Sequence, residues 1–212
     1  MSKSPVELRN EKLGEKVVKA LNNRFFEASY VNSKEEALNK ALSYIPEGAV
    51  VSWGGTSTAK EIGLIDALHK GNYQLLDRDA AEGEEKSEIA RQALLSDYYI
   101  MSSNAISEDG QLVNIDGNGN RVAALIFGPK NVIVIAGINK VAKNIEDAMQ
   151  RARTIAAPIN RQRFPGETPC KINGSCGDCK SLESICAQIV TTRICKPQGR
   201  IKVILVGENL GF

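Results

Sequence analysis

The sequence predicts an α/β fold: a Rossmann-like, mostly parallel sheet with helices on both faces, an inserted β-hairpin and a Cys-rich C-terminal segment. Three observations predict it. Short apolar runs rich in Val, Ile and Tyr alternate with stretches of helical periodicity, the pattern of strands joined by crossover helices. One such run leads directly into Gly54-Gly55-Thr56-Ser57-Thr58, as a strand does when it feeds a helix at the edge of an open sheet. Finally, all five cysteines fall between positions 170 and 195, in a stretch with several Gly and Pro residues, which disfavour regular elements.

The elements follow in order. Val6, Leu13, Val17, Val18 and Leu21 recur at helical spacing among charges, so residues 1–25 are expected to form an N-terminal amphipathic helix packed on the domain. Residues 26–212 form the α/β domain, with the Cys-rich segment at 165–200. Phe26 to Val31 reads as a short strand. Ser33-Lys34-Glu35-Glu36 is a capping-box pattern that opens a helix ended by Pro46 and Gly48. Ala49 to Trp53 is a buried strand, and Lys60 to His69 is helical. Further strands are expected at Tyr73 to Leu76, Tyr98 to Met101 and Val132 to Ala136, with a helix around Glu84 to Leu95. Leu112 to Ile115 and Val122 to Phe127 flank Asp116-Gly117-Asn118-Gly119-Asn120, whose residues tolerate positive φ, and so predict the hairpin. Val141 to Ile155 carries helical periodicity that should end before Pro158, and Ile201 to Val206 is a late strand returning to the sheet.

Composition narrows the function classes. The 212 residues are 42% hydrophobic, enough for a substantial core, and the formal charge of +2 supplies no field for nonspecific nucleic-acid binding. No apolar run reaches membrane-spanning length, and Met1-Ser2-Lys3-Ser4-Pro5 leads into charged helix rather than an apolar leader. A cytoplasmic protein is expected, in a reducing compartment that favours free thiols or bound metal. A homo-oligomer is compatible with the sequence.

Two regions carry chemistry. Gly54, Gly55, Thr56, Ser57 and Thr58 form a candidate site for a small anion, because glycines permit close backbone approach and hydroxyls and amides donate to oxyanions. The loop matches neither the nicotinamide nor the nucleotide motif; its plainer reading is a tight turn with a hydroxyl cap. Ser102 to Gly110 is a second loop that could face it, with Ser103 and Asn104 as candidate ligands and Glu108 as a candidate base or nucleophile; Lys140, beyond a third strand, is a candidate for charge stabilisation. An exposed acidic turn and a solvated lysine are the plain alternatives. Arg151 and Arg153 lie about 200° apart on an ideal helix, so at most one faces a given pocket. The second region is Cys170, Cys176, Cys179, Cys186 and Cys195, spaced C-x5-C-x2-C-x6-C-x8-C. Only the pair around Gly177 has ligand-type spacing. An iron–sulfur cluster, zinc, inert or reversibly oxidised thiols and structural disulfides all remain open, the odd fifth cysteine weighing against the last.

Taken together, Ser52-Trp53-Gly54-Gly55-Thr56-Ser57-Thr58, Ser103 to Gly110, Gly128-Pro129, Ala136-Gly137-Ile138-Asn139-Lys140 and the cysteine tail resemble the LUD-domain, or lactate-utilisation protein C-like, family over nearly the whole chain. The resemblance implies the NagB/RpiA/CoA-transferase-like fold. It also implies an accessory or subunit role in oxidation of lactate to pyruvate, alongside iron–sulfur protein partners. The alternative it leaves is a stand-alone enzyme. The Gly-Gly-Thr-Ser-Thr loop is similar to the substrate loop of ribose-5-phosphate isomerases, and Glu108 to the acidic loop of CoA transferases.

Overall fold

The computed structural model describes residues 3–212; Met1 and Ser2, at the head of the expected N-terminal segment, lie outside the described residues. Helix α1 (Pro5–Asn23) starts in a capping box in which the Ser4 hydroxyl accepts from the Glu7 amide and the Glu7 carboxylate accepts from the Ser4 amide. Strand β1 (Glu27–Val31) leads to α2 (Lys34–Ser43), whose N-cap is Ser33. Strand β2 (Val50–Trp53) then feeds a helical stretch that is not continuous as expected. It splits into α3 (Ser57–Glu61) and α4 (Leu64–Lys70), because the chain turns left-handed at Gly63 (φ 76). Strand β3 (Gln74–Leu76), α5 (Gly83–Gln92) and β4 (Tyr98–Met101) follow close to the predicted positions.

The hairpin is present but displaced. It is formed by β5 (Ala105–Ser107) and β6 (Leu112–Asp116), antiparallel, around the turn at Glu108 to Gly110. Of Val122 to Phe127, expected as its second strand, all but the extended C-cap Phe127 belong instead to α6 (Asn120–Ile126), entered through left-handed Gly119. An apolar run this short has no decisive period, and its two alanines favour helix. Strand β7 (Asn131–Gly137) and the two-residue β8 (Val141–Ala142) lead to α7 (Ile145–Arg151). The helix does not stop before Pro158. A π turn over 152–156 widens the backbone, and α8 (Ala157–Arg161) continues with Pro158 in its first turn, where the missing N–H costs little. The cysteine segment holds a short helix, α9 (Pro169–Asn173), and an unanticipated strand, β9 (Gln188–Thr192), before β10 (Ile201–Val206).

Six strands form one sheet in the order β1-β10-β7-β4-β2-β3, with every pairing parallel. Its strands bury both faces with a period of two. Val132, Val134 and Ala136 join Val17 and Leu21 of α1 and Leu125 of α6, whereas Ile133 and Ile135 join Ala37 of α2 and Leu64 and Leu68 of α4. A second, mixed sheet in the order β8-β5-β6-β9 packs under α7 and the π turn through Ala105, Val113, Ala148 and Ala152. Among the described residues no helix is long and apolar enough to cross a membrane.

Candidate functional site

Parallel pairing brings the carboxyl ends of β2, β4, β7 and β10 to one rim. Between β2 and β4 the chain path divides, since β3 lies beside β2 on one side while β4 continues towards β7 on the other. Loops leave such a point in opposite directions, and ligands of open α/β sheets gather there. The loops there are Gly54 to Thr56, Ser102 to Asn104 and Ile138 to Lys140.

Lys140 sits at the centre. Its side chain is buried, 3% exposed, and Nζ donates to Ser102 Oγ at 2.9 Å and to Thr58 Oγ1 at 3.2 Å. Burial pushes the amine down to about 7, with the positive charges of Arg151 and Arg121 adding to the shift and Glu61 opposing it. The segment after β10 closes over this group. Leu210 donates its amide to Asn139 Oδ1 at 3.1 Å, Gly211 donates to Glu61 Oε2 at 2.9 Å, and a Cβ on Gly211 would stand 2.6 Å from Thr58 Oγ1.

Two arginines brace the rim. Arg121 at the start of α6 donates to Ser102 O at 3.2 Å, Asn104 Oδ1 at 3.2 Å and Asn114 Oδ1 at 2.7 Å, and pairs with Asp116 at 3.5 Å. Gly54 is required here, because a Cβ would meet Arg121 Cδ at 2.9 Å. Arg151 donates from Nε to Asn139 O at 3.0 Å and from its guanidinium to Asn104 O. Desolvation lowers the pKa of both guanidinium groups, with Asp116 opposing the shift at Arg121.

The other residues singled out from sequence are distributed as follows. Gly55 is exposed, Thr56 caps α3 by accepting from the Ala59 amide at 3.3 Å, and Ser57 Oγ lies 3.5 Å from an Arg163 terminal nitrogen. Ser103 turns inward, its hydroxyl donating to the carbonyls of Ala105 and Val113. Glu108 lies on the hairpin turn, held by Lys16 of α1 and by Lys143 at 3.1 Å. The Lys16 hydrogen bond, offset by some desolvation and reinforced by Lys143, holds its carboxyl below the ordinary carboxylate range. Trp53 belongs to the core beside α4, edge-on to His69 at 5.8 Å. Arg121 is not singled out by the sequence because the segment it leads into reads as a hairpin strand, and Ser102, though it opens the second loop, is not preferred there because nothing marks one serine above its neighbour.

The cysteine segment builds a separate feature. Cys170, Cys176, Cys179 and Cys186 line one cavity of about 70 Å3, together with Arg153, Arg161 and Ile189. All four are partly buried free thiols, from α9, the turn after it and the approach to β9. Gly177 permits the turn, since a Cβ there would stand 2.9 Å from Pro169 Cβ, and Asp178 takes a left-handed φ of 48. Burial pushes the Cys186 thiol up, and the other three cysteines add to the shift. Cys195 is elsewhere: it is buried, accepting from the Ile201 amide at 3.3 Å and facing Pro197 O at 3.2 Å. Among the described residues no group of three or more His, Cys, Asp or Glu side chains is arranged to hold a metal ion. Arg153 pairs with Asp178 of the cysteine turn while Arg151 serves the rim, so the two arginines face different sites.

The family model described as the LUD domain matches residues 14–206. No curated protein matches the chain. Among solved structures, a DUF162 family protein from Deinococcus radiodurans superposes with a TM-score of 0.55 at 10% identity, over 93% of this chain and 98% of that one. At that identity the likeness is one of fold. eIF2B delta from Chaetomium thermophilum aligns with a TM-score of 0.33 at 15% identity over 67% of this chain and 57% of that one, too loosely to carry an argument.

Proposed function

The chain belongs to the LUD-domain family, and from that premise we propose that it is an accessory or subunit component of a lactate-oxidising system that binds a small carboxylate at the strand-end rim and works with iron–sulfur protein partners in the cytoplasm. The observation that carries the binding reading is Lys140. Its amine is buried against two hydroxyls with Arg121 and Arg151 nearby, and its nearest carboxylate influence, Glu61, is already engaged by the Gly211 amide. A buried cation short of a counter-ion is stabilised by an incoming anion, and the hydroxyls of Thr58 and Ser102 add donors beside it. A carboxylate arriving there would raise the Lys140 pKa and draw a proton from solution.

Calorimetric titration of lactate and pyruvate at pH 8, in buffers of different ionisation enthalpy, tests this. Binding with proton uptake, weakened at least tenfold in Lys140→Met, is the expected result. No heat with either acid, or binding indifferent to Lys140→Met, refutes it. The subunit role requires lactate-dependent electron transfer that appears only when partner proteins are added.

One observation favours a second reading, a stand-alone sugar-phosphate isomerase or CoA-transferase-like enzyme. An amine poised at about 7 suits general acid–base or nucleophilic work. In that reading Lys140 leads, and Glu108 is a poor base because Lys16 and Lys143 stabilise its ionised form. Turnover of ribose 5-phosphate or an acyl-CoA by the purified chain alone would favour the enzyme.

A further inference from the structure

We infer that Cys170, Cys176, Cys179 and Cys186 hold an iron–sulfur cluster, and that Cys195 takes no part in it. Four free thiols from three different stretches of chain surround one cavity, which scattered structural cysteines have no reason to do. The cavity's size bears on what fills it. Zinc draws four sulfur atoms to a single point about 2.3 Å from each, whereas these thiols are arranged around a void of about 70 Å3 and do not converge on one ion. That void is more than twice the roughly 30 Å3 share of one liquid water; Ala157, Pro158, Ile185 and Ile189 supply apolar wall beside the four thiols, and Arg153, Arg161, Thr168, Asp178 and Ser184 supply polar wall.

A second observation points to an anionic occupant. Arg161 lines the same cavity, is 1% exposed, and donates only from one terminal nitrogen, to Phe164 O at 3.0 Å and Pro165 O at 2.7 Å. Among the described residues its Nε and second terminal nitrogen have no partner. Buried guanidinium donors left unpaired are costly unless an acceptor is part of the finished site. A cluster held by four thiolates is net anionic, and its sulfur atoms accept hydrogen bonds, which also tune its potential. Cys195 is excluded by its own bonds to the Ile201 amide and the Pro197 carbonyl, on the far side of β9 in sequence from the cavity. The inference stands apart from the carboxylate reading of the rim, since either site can fail while the other persists.

The test is anaerobic purification of the full chain, reconstitution with ferrous iron and sulfide under a thiol reductant, and analysis of metal and acid-labile sulfide. The expected product contains iron and sulfide in equal amounts and shows visible absorption that bleaches on adding dithionite. Cys179→Ala and Cys186→Ala should each lose most of the bound iron, while Cys195→Ala keeps it. Far-UV circular dichroism of each variant identifies any loss that is merely unfolding, and native mass spectrometry of the unaltered chain reads the cluster mass without any variant. Zinc as the bound metal, no iron after reconstitution, or a folded Cys195→Ala chain that loses its iron would each overturn the inference.

Discussion

Replacing Lys140 by Met should reshape the pH dependence of stability. The sign follows from linkage: Lys140 has its pKa lowered on folding, so between about 7 and 10.5 the unfolded chain binds the extra proton and stability rises with pH. The cost of burying the charge is fully present below pH 7 and is relieved as the pH climbs towards the ordinary lysine value. At 1.36 kcal/mol per pH unit, the span from 10.5 to about 7 corresponds to a cost of up to about 5 kcal/mol. Integrated between pH 6 and pH 9, about 2–3 kcal/mol of it disappears. Met removes the ionisable group but leaves the hydroxyls of Thr58 and Ser102 without the amine, at about 1 kcal/mol per hydrogen bond. Those hydroxyls lie 3.4 Å apart and can partly satisfy each other. Lys140→Met should therefore be more stable than the parent chain by about 2–4 kcal/mol at pH 6, with the advantage shrinking by about 2–3 kcal/mol by pH 9. For a domain of this size that change amounts to roughly 5–10 °C in melting temperature. Thermal melts of both chains at pH 6, 7, 8 and 9 provide the assay. A stability difference that stays flat across this range would show that Lys140 titrates normally and would remove the ground for the rim as an anion site.

Gly54→Ala should displace Arg121 and cost roughly 1–3 kcal/mol from overpacking, visible in chemical denaturation and as weaker lactate binding. Glu108→Gln breaks two pairs at the surface of the hairpin turn, with Lys16 and Lys143, and should cost no more than about 1 kcal/mol. Because the folded pKa of Glu108 is depressed, that contribution is present above the ordinary glutamate value and fades as the pH falls through the folded one; calorimetry should find lactate affinity unchanged in this variant. Cys195→Ala removes an acceptor for the buried Ile201 amide and should lower stability by about 1–3 kcal/mol in a urea titration.

Much of the site's scaffold is legible in the sequence because parallel strands deliver their ends to the same place. Once Val50–Trp53, Tyr98–Met101 and Asn131–Gly137 are read as neighbouring strands, the loops after them must share a rim, and Lys140 comes near Thr58 without any long-range information. Arg121 was illegible for a local reason. Val122 to Phe127 is too short for period to distinguish helix from strand, and the Gly-Asn repeat before it suits a turn of either kind. The helix running through Pro158 was hidden because proline normally ends a helix, and only the π turn before it accommodates the ring. The cysteine cavity depends on tertiary placement: spacing groups Cys176 with Cys179, but only the packing of α9 beside α8 and the approach to β9 sets Cys170 and Cys186 around the same space.

The pairing of β1 with β10 constrains how the chain reaches its native state. Residues 27–31 hydrogen-bond solely to residues 201–206 within the main sheet, so the first strand made waits for the last. During synthesis it has only α1 and α2 to pack against until residues 201–206 have emerged. Closing so long a loop makes acquisition of the sheet a slow, late event, and a nascent chain stalled before position 200 would present β1 and β7 as bare edges open to mispairing.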